Sequence, residues 1–173
     1  VQKIRDMPDL LGNWFDVKEM PNGLRVMKKR VPLGVISVIY ESRPNVTVDV
    51  SVLCIKTGNA LILRGGSEAF ESNLALSKVI IDSIVLVGLP KDSIQFIQDK
   101  DRKIVDGILK MNQYIDLLIP RGSANLVYKV AREATMPAIT GGVGVCHMYV
   151  DDKIDVSVAT KVLTNSKLSR PYA

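Results

Sequence analysis

From Gly34 onward the chain alternates short apolar, β-branched runs with longer amphipathic stretches, a pattern that predicts strand and helix in turn. The strand-like runs are 34–40, 60–63, 93–97 and 115–119, the last apolar apart from Asp116. Helical periodicity covers 46–56, 69–87 (closed by Gly88 and Pro90), 102–111, 124–134 and 155–167, with short extended pieces near 138–139 and 145–150. The strands lack strict polar alternation, as expected when helices cover both faces of a sheet. The fold class predicted is therefore α/β, a doubly wound, mostly parallel Rossmann-like sheet. In the longest helix, Leu74, Ile81, Ile84 and Val85 predict one buried face. Ser67 and Ser123 stand where a side chain can cap the first turn. Residues 1–30 are charged and broken by Pro8, Gly12, Pro21 and Gly23, which predicts a connecting region with at most a short helix and one exposed strand. Residues 31–173 form the domain proper.

Composition narrows the function classes. A chain of 173 residues with 47% apolar and 24% charged content can bury one good core. Its net charge of +5 is dispersed, and aromatics make up 5%, so a solvated surface is expected and nucleic acid is not an expected partner. The excess still favours an anionic small molecule. No leader-like segment or long apolar run points to a membrane, and Cys54 and Cys146 have no CxxC spacing, so neither disulfide nor metal is expected. A cytoplasmic protein fits this cysteine usage. A start at Val1 and a stop at Ala173 read as those of a fragment.

Candidate chemistry sits at strand-to-helix turns, where open α/β sheets bind ligands. Arg64-Gly65-Gly66-Ser67-Glu68 ends one strand and opens the longest helix, placing donors and close backbone approach at a helix start. An ordinary glycine turn with a surface arginine explains the same residues equally well. Arg121-Gly122-Ser123 repeats the arrangement, and two such turns on one sheet edge suit a dinucleotide with its pyrophosphate near Gly122 and Ser123 and its adenosine ribose near Arg64 and Glu68. No GxGxxG or GxxxxGK[ST] motif occurs, which argues against a kinase-type cradle. In the turn 40–45, Asn45 could donate to a developing oxyanion and Arg43 could hold an acidic substrate group; helix capping by Asn45 accounts for it without a ligand. His147 and Cys146 are neighbours in an apolar stretch, so on a strand their side chains would diverge. Cys54 is expected to be a buried, apolar-like thiol.

Taken in order, the segments PNGL at 21–24, VPLGVISVIYESRPNVTVD at 31–49, GNALILRGGSEA at 58–69, GLP at 88–90, IDLLIPRGSANL at 115–126, GVCHMYVD at 144–151 and NSKLSRP at 165–171 strongly resemble the glutamate-5-semialdehyde dehydrogenases, or γ-glutamyl phosphate reductases, of the aldehyde dehydrogenase superfamily. The resemblance runs from about residue 8 to the end. It implies an aldehyde dehydrogenase-type cofactor-binding domain over 31–173, NADPH as cofactor, and reduction of γ-glutamyl phosphate in the second step of proline biosynthesis. Carried over by position, Arg64, Gly65, Gly66, Ser67 and Glu68 match the adenosine-ribose turn, Arg121, Gly122 and Ser123 the pyrophosphate turn, and Asn45 lies near the oxyanion position. The nucleophilic cysteine of the family falls just after Ala173, so the chain alone is expected to be inactive. No general base is assigned, because Thr140 and Gly141 stand where members carry His or Glu. The resemblance also implies a homo-oligomer for the full-length protein and glutamate 5-kinase as a partner. Other readings are a different acyl-phosphate or semialdehyde dehydrogenase, the reductase half of a bifunctional synthetase, or a nucleotide-binding module without catalysis.

Overall fold

A computed structural model of the chain describes residues 1–41, 43–142 and 147–169. Its contacts divide the chain into two units, 1–141 and 142–173, each described by itself.

The first unit opens with α1 (Gln2–Asp6) and two exposed strands, β1 (Trp14–Glu19) and β2 (Arg25–Lys29), paired antiparallel. One strand was expected here and two are present. The pairing was hidden because the ribbon lies exposed to solvent on both faces, so neither strand shows the apolar alternation that marks a half-buried strand. Its cohesion comes from side chains instead: Lys29 Nζ lies 5.2 Å from the Trp14 ring centre, and the Arg30 guanidinium lies 4.6 Å from that of Phe15.

Next come β3 (Val35–Tyr40), α2 (Pro44–Lys56), β4 (Ala60–Gly65), a 3₁₀ turn at Ser67–Ala69, α3 (Phe70–Leu86), β5 (Ile94–Phe96), α4 (Lys103–Ile108), β6 (Leu117–Arg121) and α5 (Ala124–Glu133). The sheet is parallel in the order β5-β4-β3-β6. The chain moves outward from β3 through β4 to β5, then returns to the far side of β3, so the winding reverses between β3 and β6. Every expected sheet strand is present within a few residues. Leu118 also forms an isolated parallel bridge with Ala138.

Alternation along the central strand divides the core. Ile36, Val38 and Tyr40 join Leu61, Leu63, Val46, Cys54 and Ile84 under α2 and α3, whereas Ile39 joins Leu118, Val105, Ile108 and Val130 under α4 and α5. The buried side of α3 departs from expectation, because Val85 is 49% exposed and Leu74 half-buried while Asn73 and Ser77 are buried. Most of their polar atoms find partners: Ser77 Oγ donates to Asn73 O (2.7 Å) and Thr47 Oγ1 to Asn73 Oδ1 (3.1 Å), while Asn73 Nδ2 is buried without a partner among the described residues. Tyr40 Oη lies 2.6 Å from the same Thr47 hydroxyl.

At the opposite, N-terminal end of β3, side chains grip the backbone. Asn59 Oδ1 accepts from the amides of Leu33 (2.6 Å) and Gly34 (2.9 Å), and Asp116 Oδ2 accepts from Val35 N (2.8 Å). A side chain on Gly34 would collide with that carboxylate, 2.1 Å from the position of a Cβ.

In the second unit, α6 (Val156–Leu168) is capped by Asp155, whose carboxylate accepts from Ser157 N (2.8 Å) and Val158 N (3.3 Å). The strand expected near 145–150 is not formed over 147–150, and its first residues lie outside the described ones, as does Cys146. His147 is exposed. No helix of the described residues is long and apolar enough to cross a membrane.

Candidate functional site

The carboxyl ends of β4, β3 and β6 lie side by side, with Gly65 paired to Tyr40 and Tyr40 to Arg121. The two Arg-Gly turns therefore share one edge of the sheet, two strand spacings apart, about 10 Å. Above this edge, between the first turns of α4 and α5, lies a cavity of about 600 Å³. Ile39, Tyr40 and Glu41 form its floor, Arg64, Gly66, Ser67 and Glu68 one side, and Arg102, Lys103, Val105, Asp106, Ser123, Asn125, Leu126 and Lys129 the rest. Its position is the switch point of the winding, where open sheets take ligands.

Four cations meet three carboxylates on these walls, but they are not equivalent. Lys129 is bound to Asp106 (2.9 Å) and Glu133 (2.9 Å), and the hydrogen bond to Glu133, then that to Asp106, raises its pKa and keeps it charged. Arg64 is 7% exposed. Its guanidinium donates to the backbone carbonyls of Gly65 (3.0 Å), Lys100 (3.3 Å) and Asp101 (3.4 Å), tying the end of β4 to the loop before α4. The Nε of Arg64 is buried without a partner among the described residues. Lys100 reinforces the loop by lying 4.1 Å over the Phe70 ring. Arg102 and Lys103 are exposed, and among the described residues neither forms an ion pair.

The glycines serve close approach. At Gly65 a Cβ would stand 2.4 Å from Asn73 Nδ2, so this glycine admits α3 against the sheet rather than an anion. At Gly122 a Cβ would stand 2.6 Å from Glu41 Cδ. Ser123 is the N-cap residue of α5, yet its hydroxyl makes no capping bond; the Ser123 amide donates to Glu41 Oε2 (2.8 Å) and its hydroxyl to Glu41 Oε1 (3.0 Å). Likewise Ser67 begins a 3₁₀ turn and does not cap α3; its hydroxyl contacts Glu68 Oε1 at 3.3 Å. Glu41, like Arg102 and Lys103, is a site residue that sequence reasoning missed. The turn 40–45 was noticed for its donors, and the acceptor at its head contacts a residue 82 positions away, beyond any local pattern.

Arg43 and Asn45 do not line the cavity. Arg43 is the exposed N-cap residue of α2, Pro44 its first helical residue, and Asn45 Nδ2 faces Asp49 Oδ2 at 3.4 Å within the first turns. Asn45 is thus inside the helix rather than its cap. Cys54 is buried, and burial pushes its thiol up to about 11, away from nucleophilic use. No metal-binding cluster occurs among the described residues.

A parallel sheet of this winding, with helices on both faces and a cavity at its switch point, defines a doubly wound α/β domain of the Rossmann-like class. The pattern of the aldehyde dehydrogenase family matches residues 5–170, and the chain belongs to that family. It is 49% identical over 171 residues to the γ-glutamyl phosphate reductase of Shewanella sediminis, covering 99% of this chain and 40% of that protein. It is 51% identical over 168 residues to the protein of the same description from Dehalococcoides mccartyi, covering 97% of this chain and 40% of that one. The crystal structure of γ-glutamyl phosphate reductase from Thermotoga maritima superposes with a TM-score of 0.81 at 39% identity, over 99% of this chain and 42% of that one. The chain thus spans about two fifths of the length of the curated relatives it matches.

Proposed function

We propose that this chain is the nucleotide-binding part of a γ-glutamyl phosphate reductase, an oxidoreductase of proline biosynthesis that uses NADPH. The observation that carries the reading is the cavity at the switch point, walled by Arg64, Ser67, Glu68 and Ser123, in a chain about half identical to reductases of that description. The residues present fit a polyanionic dinucleotide. A buried guanidinium whose Nε has no partner among the described residues borders the cavity, Gly122 leaves the mouth of α5 without a Cβ, and two exposed cations stand on the rim.

NADPH, when bound, supplies the hydride. Arg102 and Lys103 offset phosphate charge at the rim, where neither is spent on an ion pair among the described residues. Ser123 offers an amide and a hydroxyl at the N-terminus of α5, a position that favours a phosphate. Val105 and Leu126 give the apolar wall for a base. Arg64 and its turn shape the ribose side by fixing the loop at 100–101. Arg43 and Asn45, off this wall, belong to the acyl phosphate's end, where Arg43 would pair with the substrate carboxylate and Asn45 would donate to the oxyanion. The same reading makes the whole protein a cytoplasmic homo-oligomer with glutamate 5-kinase as its partner.

Calorimetric titration of the chain with NADPH, with NADH as control, tests the reading. Saturable one-site binding with NADPH tighter than NADH is expected. Absence of saturable binding to either nucleotide overturns it.

A further inference from the structure

The phosphate seat proposed at the start of α5 already has a negatively charged tenant. Glu41 continues the pairing of β3 with β6 by donating its amide to Arg121 O (3.0 Å), and its side chain then folds across Gly122. Its two carboxylate oxygens take the Ser123 amide (2.8 Å) and the Ser123 hydroxyl (3.0 Å). These are the donors that a phosphate at this helix start would need, and a carboxylate there gains from the same helix dipole. The fit depends on Gly122, since any Cβ at that position would lie 2.6 Å from Glu41 Cδ. The same cavity is bordered by Arg64, over nine-tenths buried, whose Nε has no partner among the described residues.

We propose that Glu41 is an internal counter-ligand: its carboxylate holds the phosphate seat at Ser123, and the nucleotide binds by displacing it, so that this residue sets how weakly the cofactor is held. The inference rests on the nucleotide-binding reading above. Two anions do not share one amide and one hydroxyl at hydrogen-bonding distance, so entry of the phosphate requires the carboxylate to leave. Glu41 is exposed and follows the last strand residue, so its side chain has solvent to move into. Nucleotide affinity is then the phosphate's gain at the seat less the carboxylate's, and nucleotide release is assisted by the returning side chain.

Substitution at this position separates displacement from simple propping of Ser123. Glu41→Gln keeps the reach and removes the charge, and Glu41→Ala empties the seat; both variants and the wild type are titrated with NADP and with inorganic pyrophosphate by calorimetry. Charge-assisted bonds are roughly twice as strong as neutral ones, so Glu41→Gln should bind each probe about tenfold tighter, and Glu41→Ala at least as tightly as Glu41→Gln. In an amide spectrum, pyrophosphate should move the Ser123 resonance at lower concentration in either variant than in the wild type. If Glu41 merely props the turn, both variants bind NADP no better or more weakly than a wild type that binds it, and the displacement idea is overturned while nucleotide binding stands. If neither probe binds wild type or variants, nucleotide binding and displacement fall together.

Discussion

Thr47 offers the sharpest test of what holds the site's floor in place. Its hydroxyl has one proton, and that proton goes to Asn73 Oδ1 at 3.1 Å, so the 2.6 Å contact with Tyr40 must be donated by the tyrosine. All three side chains are essentially fully buried, with exposures of 0% for Thr47 and Asn73 and 1% for Tyr40. Thr47→Val preserves shape and removes the oxygen, leaving the Tyr40 hydroxyl and the Asn73 carbonyl each without a partner and without access to water. At about 1–3 kcal/mol per orphaned group, partly offset by an extra buried methyl, the loss is about 2–4 kcal/mol. Thr47→Ser, which keeps both bonds and deletes one methyl, should lose about 1 kcal/mol. Urea unfolding followed by circular dichroism measures both, and in thermal melts Thr47→Val should fall by about 4–16 °C for a chain of this size. A loss below about 0.5 kcal/mol for Thr47→Val, or equal losses for the two variants, would refute the argument that the oxygen rather than the volume matters.

Two further outcomes follow from buried groups. Burial pushes the Cys54 thiol from its ordinary 9.0 to about 11, so the folded protein keeps a proton that the unfolded chain gives up. The associated stability is fully present below pH 9 and is lost as pH rises from 9 towards 11, by about 2–3 kcal/mol in all. The stability gap between wild type and Cys54→Ala, followed by urea titration across that range, should shrink; parallel curves would contradict it. For Arg64→Ala, truncation strands the carbonyls of Gly65, Lys100 and Asp101 and frees the loop before α4. NADPH and NADH binding should then weaken by similar factors, and a loss tenfold greater for NADPH would mean that the guanidinium meets the extra phosphate directly.

Legibility in the sequence followed the range of the interactions. The sheet strands and their helices could be read because apolar runs and 3.6-residue periodicity are local, and the run of strands through helices allows few windings. The two Arg-Gly turns could be placed on one edge for the same reason. What a turn does with its side chains is decided across the fold. Arg64 looked like a surface donor and is spent on carbonyls 36 and 37 residues away. Ser123 looked like a cap and instead serves Glu41 from across the β3–β6 pair. The α3 face was predicted from its aliphatic residues alone; a hydroxyl on α2 answers the Asn73 carbonyl and makes this an inward position, although the Asn73 Nδ2 has no partner among the described residues. The second strand of the N-terminal ribbon escaped notice because its stabilising contacts, cations over rings, leave no periodic signature.

The two ends of the central strand are polar in different ways. At the entry end, Asn59 and Asp116 close on main-chain amides of residues 33–35. Sliding β3 by one position would break all three contacts and turn its inward residues outward, so the alignment of the sheet is decided there. The exit end is thereby relieved of any duty in alignment. Replacing the side chain of a residue such as Glu41 or Lys103 therefore leaves the strands beneath in step.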